Sequence, residues 1–356
     1  MFKRILIANR GEIAVRIIRA CQELNIETVA IYSDADVNAL HVQLADQAVN
    51  VGAADASESY LNKESILSAA REAHADAIHP GYGFLSEDAD FAQQVTDAGI
   101  TWIGPMPETI RLVGDKDIAR ASIAPSGIPM AKGSNPLKNN EEAIAAAKEV
   151  GYPVILKPVA GGGGKGMCVA HDEDDLRNIL SLLVDITKTK YYFEHYIERS
   201  RHIEVQIVAD NYGEVLHLGE RECSLQRRNQ KLLEESPSIA LTHDMRQRVG
   251  QLAVKAAKSV HYSNIGTVEF LLDLSNNEFY FMEINPRIQV EHGITEAVTG
   301  IDLVRTQIRI AAGEALNLTQ QDISFTGHAI ECRINAEDPD NKFMPSPGQI
   351  TFLHEP

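Results

Sequence analysis

Two glutamates and an asparagine, Glu269, Glu283 and Asn285, surround a short polar stretch of the chain. The flanking segments 267–274 and 278–285 are rich in Phe, Val, Tyr and Leu, and the Ser-Asn-Asn between them is typical of a turn, so the sequence predicts a β-hairpin. If the last residue of the first segment pairs with the first residue of the second, Glu269 lies directly opposite Glu283. Side chains alternate along a strand, which places Asn285 on the same face.

Two carboxylates that face each other on a sheet repel, so a positive charge is expected beside them. A hard divalent cation, Mg²⁺ or Mn²⁺, suits these oxygen ligands, because Mg²⁺ usually takes one or two carboxylates and completes its shell with water and substrate phosphates. The sequence therefore predicts a metal site at Glu269, Glu283 and Asn285. The alternative is a solvated face on which both glutamates point into water.

Three further polar residues, Arg287, Gln289 and Glu291, follow the hairpin at a spacing of two. If the alternation continues, one side of the chain carries a cation, an amide and a carboxylate in a row. Arg287 could hold a small planar oxyanion through two parallel hydrogen bonds, and Glu291 could act as a base on it. The alternative is an edge strand with surface charges of both signs.

The composition limits the possible partners and the compartment. A length of 356 residues suggests two or three domains, and 44% hydrophobic with 23% charged residues is typical of a globular protein. The net charge of −17 argues against nucleic acid or an anionic membrane as the main partner. No window approaches the roughly 20 apolar residues of a membrane span. The four cysteines are scattered, which indicates neither a disulfide framework nor a zinc site, and a cytoplasmic location fits best.

The amino-terminal part predicts a parallel α/β domain, which we place at residues 1–115. Strand, helix and strand alternate from residue 4 onwards, and this succession requires a parallel sheet with crossovers. The first turn carries one glycine, Gly11, and lacks Gly-x-Gly-x-x-Gly, so a nicotinamide cofactor is not indicated. The segment 79–83, His-Pro-Gly-Tyr-Gly, lies where a strand ends, the usual place for ligand contacts in such sheets. Lys116 opens the next helix and could reach a phosphate, unless it is merely solvated.

Four consecutive glycines, 161–164, follow a predicted strand that ends at Lys157. Glycine loses more backbone entropy on ordering than other residues, so the run indicates a mobile lid whose bare N–H groups approach an anion. A Walker A loop is excluded because neither Ser nor Thr follows Lys165. A plain hairpin turn is the alternative. We place this linker and lid at residues 116–203.

The third part, expected at 204–330, begins with alternating residues that put His202, Glu204 and Gln206 on one face. The most basic stretch of this acidic chain follows, and its four cations are expected to form the positive local field that an anionic substrate needs: Arg221, Arg227, Arg228 and Lys231. Near the end, Arg333 lies in a strand-like run, where a buried arginine needs a partner or a ligand.

On these residues the chain resembles biotin carboxylase, the ATP-grasp component of biotin-dependent carboxylases such as acetyl-CoA carboxylase. The resemblance runs along essentially the whole chain, and its most specific motifs are the segments 7–14, 79–87, 161–167, 222–228, 287–292 and 331–338. It implies an α/β and α+β multidomain architecture: a parallel α/β amino-terminal domain, a small mobile glycine-rich lid and a mixed-sheet carboxyl-terminal domain. It also implies ATP- and bicarbonate-dependent carboxylation of carrier-bound biotin through carboxyphosphate.

The resemblance assigns roles position by position. MgATP, with two Mg²⁺ or Mn²⁺ ions, would be bound by residues of all three parts: Lys116, Lys157, Gly161, Gly162, Gly163, Gly164, Glu194, His202, Gln226, Asn229, Glu269 and Glu283. Bicarbonate would be held by Arg287, Gln289 and Val290, and biotin by Tyr82 and Arg333. The catalytic residues would be Glu291 as the base, Arg287, Arg333 as the group that stabilises the biotin enolate, and Lys231 over the γ-phosphate. Glu269, Glu283 and Asn285 would hold the metal.

Three departures from the family pattern stand out. Asn229 occupies a position where the family typically has His, and Gly293 replaces a common Pro. Family members continue beyond the position of Pro356, so residues 331–356 are expected to be the start of a truncated carboxyl-terminal domain. The implied partners are a biotin carboxyl carrier protein, carboxyltransferase subunits and a second copy of the chain, because Arg19 and Glu23 match dimer positions of the family.

Other functions share part of this pattern. The biotin carboxylase part of a pyruvate or propionyl-CoA carboxylase would carry the same motifs. A carbamoyl-phosphate-synthetase-like or carboxylate–amine ATP-grasp ligase would share the metal hairpin and the glycine lid, but would not need Arg287, Gln289 and Glu291 together with Arg333. A nucleotide-binding or dimerisation module without turnover is the non-enzymatic alternative.

Overall fold

The computed structural model describes residues 1–159, 166–182, 190–352 and 354. The first part of the chain forms a five-stranded parallel sheet in the order β3-β2-β1-β4-β5, which confirms the predicted parallel α/β architecture. Its strands are β1 Arg4–Ile7, β2 Glu27–Ser33, β3 Gln47–Gly52, β4 Ala77–His79 and β5 Thr101–Trp102. Its helices are α1 Gly11–Glu23, α2 Leu40–Leu44, α3 Lys63–Glu72 and α4 Ala89–Asp97.

The helices of this part pack through apolar stripes of helical period. In α1, Ile13, Ala14, Ile17 and Ile18 are buried, and they recur at the spacing that places them on one face. β1 and β4 are neighbours in the sheet. The chain continues from β1 to β2 on one side of this pair and from β4 to β5 on the other. Asn9 fills the crevice at their carboxyl ends, because its Nδ2 donates to the carbonyl oxygens of Pro80 and Tyr82 at 2.7 Å each.

The middle of the chain is a small α/β unit. Its antiparallel sheet has the order β7-β6-β8, with β6 Val154–Pro158, β7 Cys168–Ala170 and β8 Tyr191–His195. The helices that precede or flank it are α5 Pro107–Gly114, α6 Lys116–Ile123, α7 Asn140–Val150 and α8 Glu173–Leu182. Lys116 opens α6 as predicted, and the Asp115 side chain caps the helix by accepting from the backbone N–H groups of residues 117 and 118. The predicted glycine lid at 161–164 lies outside the described residues.

A six-stranded antiparallel sheet in the order β13-β12-β9-β10-β11-β14 forms the third part. Its strands are β9 Ser200–Ala209, β10 Val215–Arg227, β11 Gln230–Ser236, β12 Asn264–Asp273, β13 Glu278–Asn285 and β14 Ala329–Cys332. One parallel bridge, between Met130 and Phe281, adds to the β13 edge. Each pair of neighbouring strands among the six runs in opposite directions. The expectation of a mixed sheet is corrected to an antiparallel sheet for this reason.

The two faces of this sheet differ in polarity. Ile203, Val205 and Ile207 of β9 share a hydrophobic cluster with the helix α9 His243–Ser259. The alternate residues His202, Glu204 and Gln206 point to the other side, as period-two alternation requires. The sheet therefore buries one apolar face and offers a polar face for a site.

The predicted hairpin forms, but with a different register at its tip. Asp273 pairs with Glu278, whereas the prediction paired Leu274 with that residue. A register irregularity between Glu269 and Phe270 shifts the ladder by one residue, and Glu269 then pairs with Glu283 as predicted. The facing carboxylates thus arise from a bulge that the sequence pattern did not reveal.

The remaining helices join the first and third parts. α10 His292–Thr299 and α11 Leu303–Ala311 follow the hairpin. A single hydrophobic cluster contains Ile5 and Ile17 of the first part together with Leu216, Ile265 and Ile308 of the third. A shared apolar core of this kind fixes the carboxyl ends of the parallel strands against the polar face of the antiparallel sheet.

The end of the described chain forms a two-stranded ladder of β15 Glu337–Asp338 and β16 Met344–Pro345. The domain limits proposed from the sequence stay predictions, and two of them, after residues 203 and 330, fall within strands β9 and β14. Within the described ranges, no helix combines the length and the apolar character that crossing a bilayer would require.

Candidate active site

Four charged side chains form a row across the polar face of the antiparallel sheet. Arg221 of β10 pairs in register with Glu204 of β9, Glu204 with Glu269 of β12, and Glu269 with Glu283 of β13. Neighbouring strands lie about 4.8 Å apart, so three carboxylates stand side by side. Such a row requires several positive charges close to it.

Lys231 of β11 supplies the central positive charge. Its Nζ lies 2.5 Å from Glu204 Oε2, 3.0 Å from Glu269 Oε1 and 2.8 Å from Glu291 Oε1. Burial lowers the pKa of Lys231, but the three carboxylates outweigh burial and raise that pKa well above its ordinary value. Burial raises the pKa of Glu204, and Arg221 with Lys231 reverses this and lowers it to about 2.

His202 completes the surroundings of Glu269. Its Nε2 lies 2.9 Å from Glu269 Oε2, and its Nδ1 lies 3.0 Å from Nε2 of Gln226, a second predicted nucleotide ligand. Burial lowers the pKa of His202, and the Glu269 carboxylate more than offsets it, so the pKa lies above its ordinary value. Burial likewise raises the pKa of Glu269, but Lys231 and His202 hold it well below its ordinary range.

The predicted metal ligands come together, and each glutamate has a cation of the chain beside it. Glu283 Oε2 lies 3.1 Å from Nζ of Lys116, and Asn285 donates from Nδ2 to Glu269 Oε1 at 2.9 Å. Two carboxylates and an amide form a set of hard oxygen donors that fits Mg²⁺ or Mn²⁺. The positive charge expected beside Glu269 and Glu283 is provided in this structure by Lys116, Lys231 and His202.

The predicted basic patch is wrong for Arg221. Arg221 is completely buried, and it donates to Glu204, to Gln206 at 2.7 Å and to Thr295 at 2.8 Å, so its donors are used within the sheet. Arg227 contacts Glu337 at 2.5 Å. The β10–β11 ladder is irregular between Glu222 and Gln226, so the regular alternation of side chains is broken between the two arginines.

Arg287 and Gln289 lie side by side after the end of β13. Pro286 lacks an N–H group and ends the ladder, so the predicted strand alternation through residue 291 is corrected to a loop followed by α10. Arg287 Nη1 donates to Gln289 Oε1 at 2.9 Å. Gln289 is only 4% exposed, and its Nε2 has no hydrogen-bond partner among the described residues. A buried donor without a partner is costly, which favours a ligand at this point.

Glu291 lies between two cations. One oxygen accepts from Lys231, and the other accepts from Nη2 of Arg333 at 2.8 Å. Arg333 Nε donates to Glu234 Oε1 at 2.7 Å, so its guanidinium is fixed from two sides. The neighbouring backbone carbonyl of Val290 lies 3.2 Å from His292 Nδ1. The base predicted from the sequence therefore lies beside both the carboxylate row and the predicted biotin residue Arg333.

Two residues of the middle unit that were predicted to bind nucleotide belong to a separate ion cluster. Lys157 of β6 and Arg120 of α6 both contact Glu194 of β8, the latter with Nη1 at 2.9 Å from Oε1. Arg120 was not predicted from the sequence, because its contact with Glu194 spans 74 residues. In the β6–β8 ladder Lys157 pairs with Tyr192, which places Glu194 diagonally across from Lys157.

Two assigned residues lie in turns. Arg228 and Asn229 both have positive φ and join β10 to β11, a two-residue hairpin loop that favours Asn. Tyr82 lies in the loop after β4 and packs against the hydrophobic cluster that contains Ile288. Glu87 and Glu234 were not predicted from the sequence as site residues. Glu87 Oε1 accepts from Arg287 Nε at 2.5 Å, and Glu234 accepts from Arg333, and both contacts are set by tertiary structure alone.

Fold and site together define an ATP-grasp ligase: an α/β amino-terminal domain, a small middle unit and an antiparallel sheet whose polar face collects lysines and carboxylates. A family model described as biotin carboxylase, N-terminal domain, matches residues 1–110. A second, described as carbamoyl-phosphate synthase L chain, ATP binding domain, matches residues 115–319.

Known proteins resemble the chain along its whole length. Biotin carboxylase 1 of Bacillus subtilis is 54% identical, with 100% of this chain and 80% of that protein covered. A pyruvate carboxylase subunit from Methanothermobacter thermautotrophicus is 49% identical, with 100% and 73% covered. The chain belongs to the biotin carboxylase family, whose members are ATP-dependent ligases that carboxylate biotin.

Solved structures agree with this membership. The biotin carboxylase of Campylobacter jejuni, solved as a β,γ-ATP complex, has a TM-score of 0.92 at 47% identity, covering 99% of this chain and 80% of that one. The biotin carboxylase domain dimer of Hydrogenobacter thermophilus 2-oxoglutarate carboxylase, solved with MgADP, ADP and bicarbonate, has a TM-score of 0.90 at 49% identity, covering 98% and 80%. A thermophilic 2-oxoglutarate carboxylase domain bound to ADP without magnesium, with a disordered phosphate tail, has a TM-score of 0.82 at 50% identity, covering 98% and 80%.

Proposed function

We propose that this chain performs the first half-reaction of acetyl-CoA carboxylase, the MgATP- and bicarbonate-dependent carboxylation of biotin on a carrier protein. The observation that carries the residue roles is the position of Glu291, held by Lys231 and Arg333 at 2.8 Å each, beside the Arg287–Gln289 pair. A base, an oxyanion cradle and a phosphate-directed cation thus lie together.

Bicarbonate is a poor electrophile until it is phosphorylated, so the first step joins it to the γ-phosphate of ATP. Arg287 and Nε2 of Gln289, which has no partner among the residues that the structure describes, supply donors for a planar anion next to the backbone of Val290. Glu291 takes the bicarbonate proton while a bicarbonate oxygen attacks the γ-phosphorus, and the bond to ADP breaks. The products are carboxyphosphate, ADP and protonated Glu291.

The second step transfers the carboxyl group to biotin. Carboxyphosphate releases CO₂ and phosphate, and phosphate removes the N1′ proton of biotin. Arg333 stabilises the negative charge that this creates on the ureido oxygen, an electrostatic role that a fixed guanidinium fulfils without reorganisation. The deprotonated N1′ then attacks CO₂, and the new C–N bond gives carboxybiotin. Tyr82 would support the bound biotin from the loop after β4.

Nucleotide binding exchanges ion pairs that already exist within the chain. In this structure Lys116 contacts Glu283, and Lys231 with His202 contacts Glu269. The triphosphate of ATP would form ion pairs with these cations in place of the carboxylates. Glu269, Glu283 and Asn285 would hold the divalent ions, which neutralise phosphate charge when bound. The relative solved with ADP but without magnesium has a disordered phosphate tail, which supports this dependence of phosphate ordering on the metal.

The other nucleotide residues would act at the adenosine and phosphate ends. Lys157 would reach a phosphate from the end of β6, and Glu194 and Gln226 would serve the base and ribose side. Asn229 would contact the nucleotide from the β10–β11 turn. Gly161 to Gly164, which the family resemblance assigns to the phosphates, lie outside the described residues. The proposed partners are the carrier protein, carboxyltransferase subunits and a second copy of the chain, and the Hydrogenobacter relative was solved as a dimer.

The test is steady-state ATP cleavage with bicarbonate, measured with and without free biotin. The proposal predicts cleavage that requires bicarbonate and is stimulated by biotin. A different ATP-grasp ligase would show no biotin stimulation, and a binding module would bind MgADP without turnover. Transfer of label from ¹⁴C-bicarbonate to acetyl-CoA or pyruvate, with matching carrier and transferase subunits, would then identify the acceptor.

A further inference from the structure

We propose that Glu87 is a positioning residue that orients Arg287 for the small oxyanion, an inference that rests on the proposed function. Glu87 Oε1 accepts a hydrogen bond from Arg287 Nε at 2.5 Å, and the two residues are 200 positions apart in the chain. The side chain of Arg287 is 21% exposed and that of Glu87 is 48% exposed. The contact therefore lies at the mouth of the site and joins the first part of the molecule to the loop after β13.

The guanidinium of Arg287 is fixed on two sides. Glu87 engages Nε, while Nη1 donates to Gln289 Oε1 at 2.9 Å and to the carbonyl oxygen of Ile288 at 3.2 Å. A planar guanidinium recognises a planar anion well only when its plane is set in advance, because its donors have a rigid fork geometry. Glu87 and Gln289 together set that plane, and Gln289 Nε2 lies beside it without a hydrogen-bond partner in the described part of the chain.

The loop that carries Glu87 is built as a rigid support. Phe84 has φ +42°, which is unusual for a bulky residue, and its ring stacks on Tyr60 at a centroid distance of 5.1 Å. Tyr60 is itself fixed, because its hydroxyl donates to Asp36 at 2.5 Å and accepts from the backbone N–H of Ser33 at 2.9 Å. Local backbone strain of this kind persists only where the surroundings over-determine the conformation, and it is common at functional sites.

Both ends of the same loop are anchored as well. Asn9 bonds the carbonyl oxygens of Pro80 and Tyr82, and Asp88 caps α4 by accepting from the backbone N–H of Phe91 at 2.8 Å. Leu85 is 3% exposed and Ser86 is 1% exposed, so the two residues that precede Glu87 are buried. The loop therefore presents Glu87 from a fixed frame, and a rigid support is what precise orientation of a binding group requires.

The test compares Glu87→Ala with Glu87→Gln in the bicarbonate-dependent ATP cleavage assay. Glutamine keeps an acceptor oxygen at nearly the same position, whereas alanine removes it. We expect Glu87→Ala to raise the KM for bicarbonate about tenfold, the loss expected for one charge-assisted hydrogen bond. We expect Glu87→Gln to recover most of that loss. The KM for ATP and the affinity for MgADP should stay within about twofold of wild type, because ATP is bound elsewhere on the sheet.

The matched control is Asp90→Ala, which removes an exposed acidic partner of Arg111, at 2.9 Å, from the helix that follows the same loop. It should leave both KM values unchanged. An unchanged KM for bicarbonate in Glu87→Ala would overturn the inference. A lower KM would also overturn it, because it would mean that Glu87 competes with bicarbonate for Arg287. A wild-type chain without bicarbonate-dependent turnover would instead overturn the proposed function, so the two failures are distinguishable.

Discussion

Glu269 and Glu283 pair in register across β12 and β13, and each contacts a different cation of the chain: Lys231 with His202 on one side and Lys116 on the other. The repulsion between facing carboxylates is thus balanced by the protein's own charges. Under the proposed roles, the triphosphate would pair with the lysines, and divalent ions would replace the lysines as the counter-charge of the two carboxylates.

Glu283→Gln should raise the Mg²⁺ concentration needed for half-maximal ATP cleavage by about tenfold, because Mg²⁺ relies on only one or two protein carboxylates. A Mg²⁺ titration at saturating ATP and bicarbonate measures this. The matched control is Glu278→Gln on the same strand, which loses only an exposed contact to Arg248 at 3.9 Å. Identical titrations for wild type and Glu283→Gln would contradict the metal assignment.

Removal of divalent ions with a chelator should weaken ADP binding by about tenfold or more in wild type, since the phosphates then meet unscreened carboxylates. In the double variant Glu269→Gln with Glu283→Gln, the chelator should have a much smaller effect, because that repulsion is gone. Calorimetric titration of ADP measures both. Equal chelator effects in the two proteins would show that the carboxylates do not hold the metal.

Glu291→Gln should lower kcat for bicarbonate-dependent ATP cleavage at least about tenfold, the low end of what a general base contributes. Glutamine is nearly isosteric, and its one carbonyl oxygen can still accept from either Lys231 or Arg333, so the fold and MgADP binding should be retained. A fluorescence or calorimetric titration of MgADP provides the control for folding. Wild-type turnover in this variant would exclude Glu291 as the base.

Arg221→Met should destabilise the fold by about 3 kcal/mol, because it leaves the buried Glu204 carboxylate without its main partner. The melting temperature should fall, and adding Glu204→Gln should recover part of the loss. Arg305→Met is the control, since it removes only a surface contact to Glu23 at 3.1 Å and should change stability by less than about 0.5 kcal/mol. A melting temperature equal to wild type for Arg221→Met would contradict this assignment.

Glu331 should make stability depend on pH. Burial, together with the nearby carboxylates of Glu234 and Glu291, raises its pKa from 4.5 to about 7. The folded chain therefore keeps a proton that the unfolded chain has released, and this residue's contribution to stability falls as pH rises from about 4.5 to about 7. Glu331→Gln stays neutral, so it should be more stable than wild type at pH 8 by about 1–2 kcal/mol, allowing for its partial exposure, and nearly equal at pH 4.5.

Melting curves of Glu331→Gln and wild type at pH 4.5, 6 and 8 measure that difference. Glu314→Gln serves as the control, because the Glu314 carboxylate is exposed and its contact with Arg309 is long, at 4.0 Å. A pH-dependent difference that appears equally in Glu314→Gln would be a general effect of removing a carboxylate and would contradict the role of Glu331. A constant offset between Glu331→Gln and wild type at all three values would contradict the raised pKa.

Local pattern was enough to predict the elements that carry the site. Periodicity indicated the parallel α/β unit, turn chemistry indicated the hairpin around Ser275, and alternation placed His202, Glu204 and Gln206 on one face. These features depend on interactions between residues close in sequence, which is why the residue order reveals them. The register at the hairpin tip was wrong by one residue, and the bulge beside Glu269 restored the predicted pair, because bulges depend on packing against the neighbouring strand.

The sequence by itself determined which residue types are available to hold nucleotide, metal and oxyanion, together with the strands and loops that carry them. Only the tertiary structure decided which charges meet. Lys231 contacts carboxylates 27, 38 and 60 positions away, Arg221 turns from an expected ligand residue into a buried ion-pair partner, and Glu87 reaches Arg287 across 200 positions. The physical reason is that strand order and domain packing set long-range neighbours, and a charge takes its role from its neighbours and its burial.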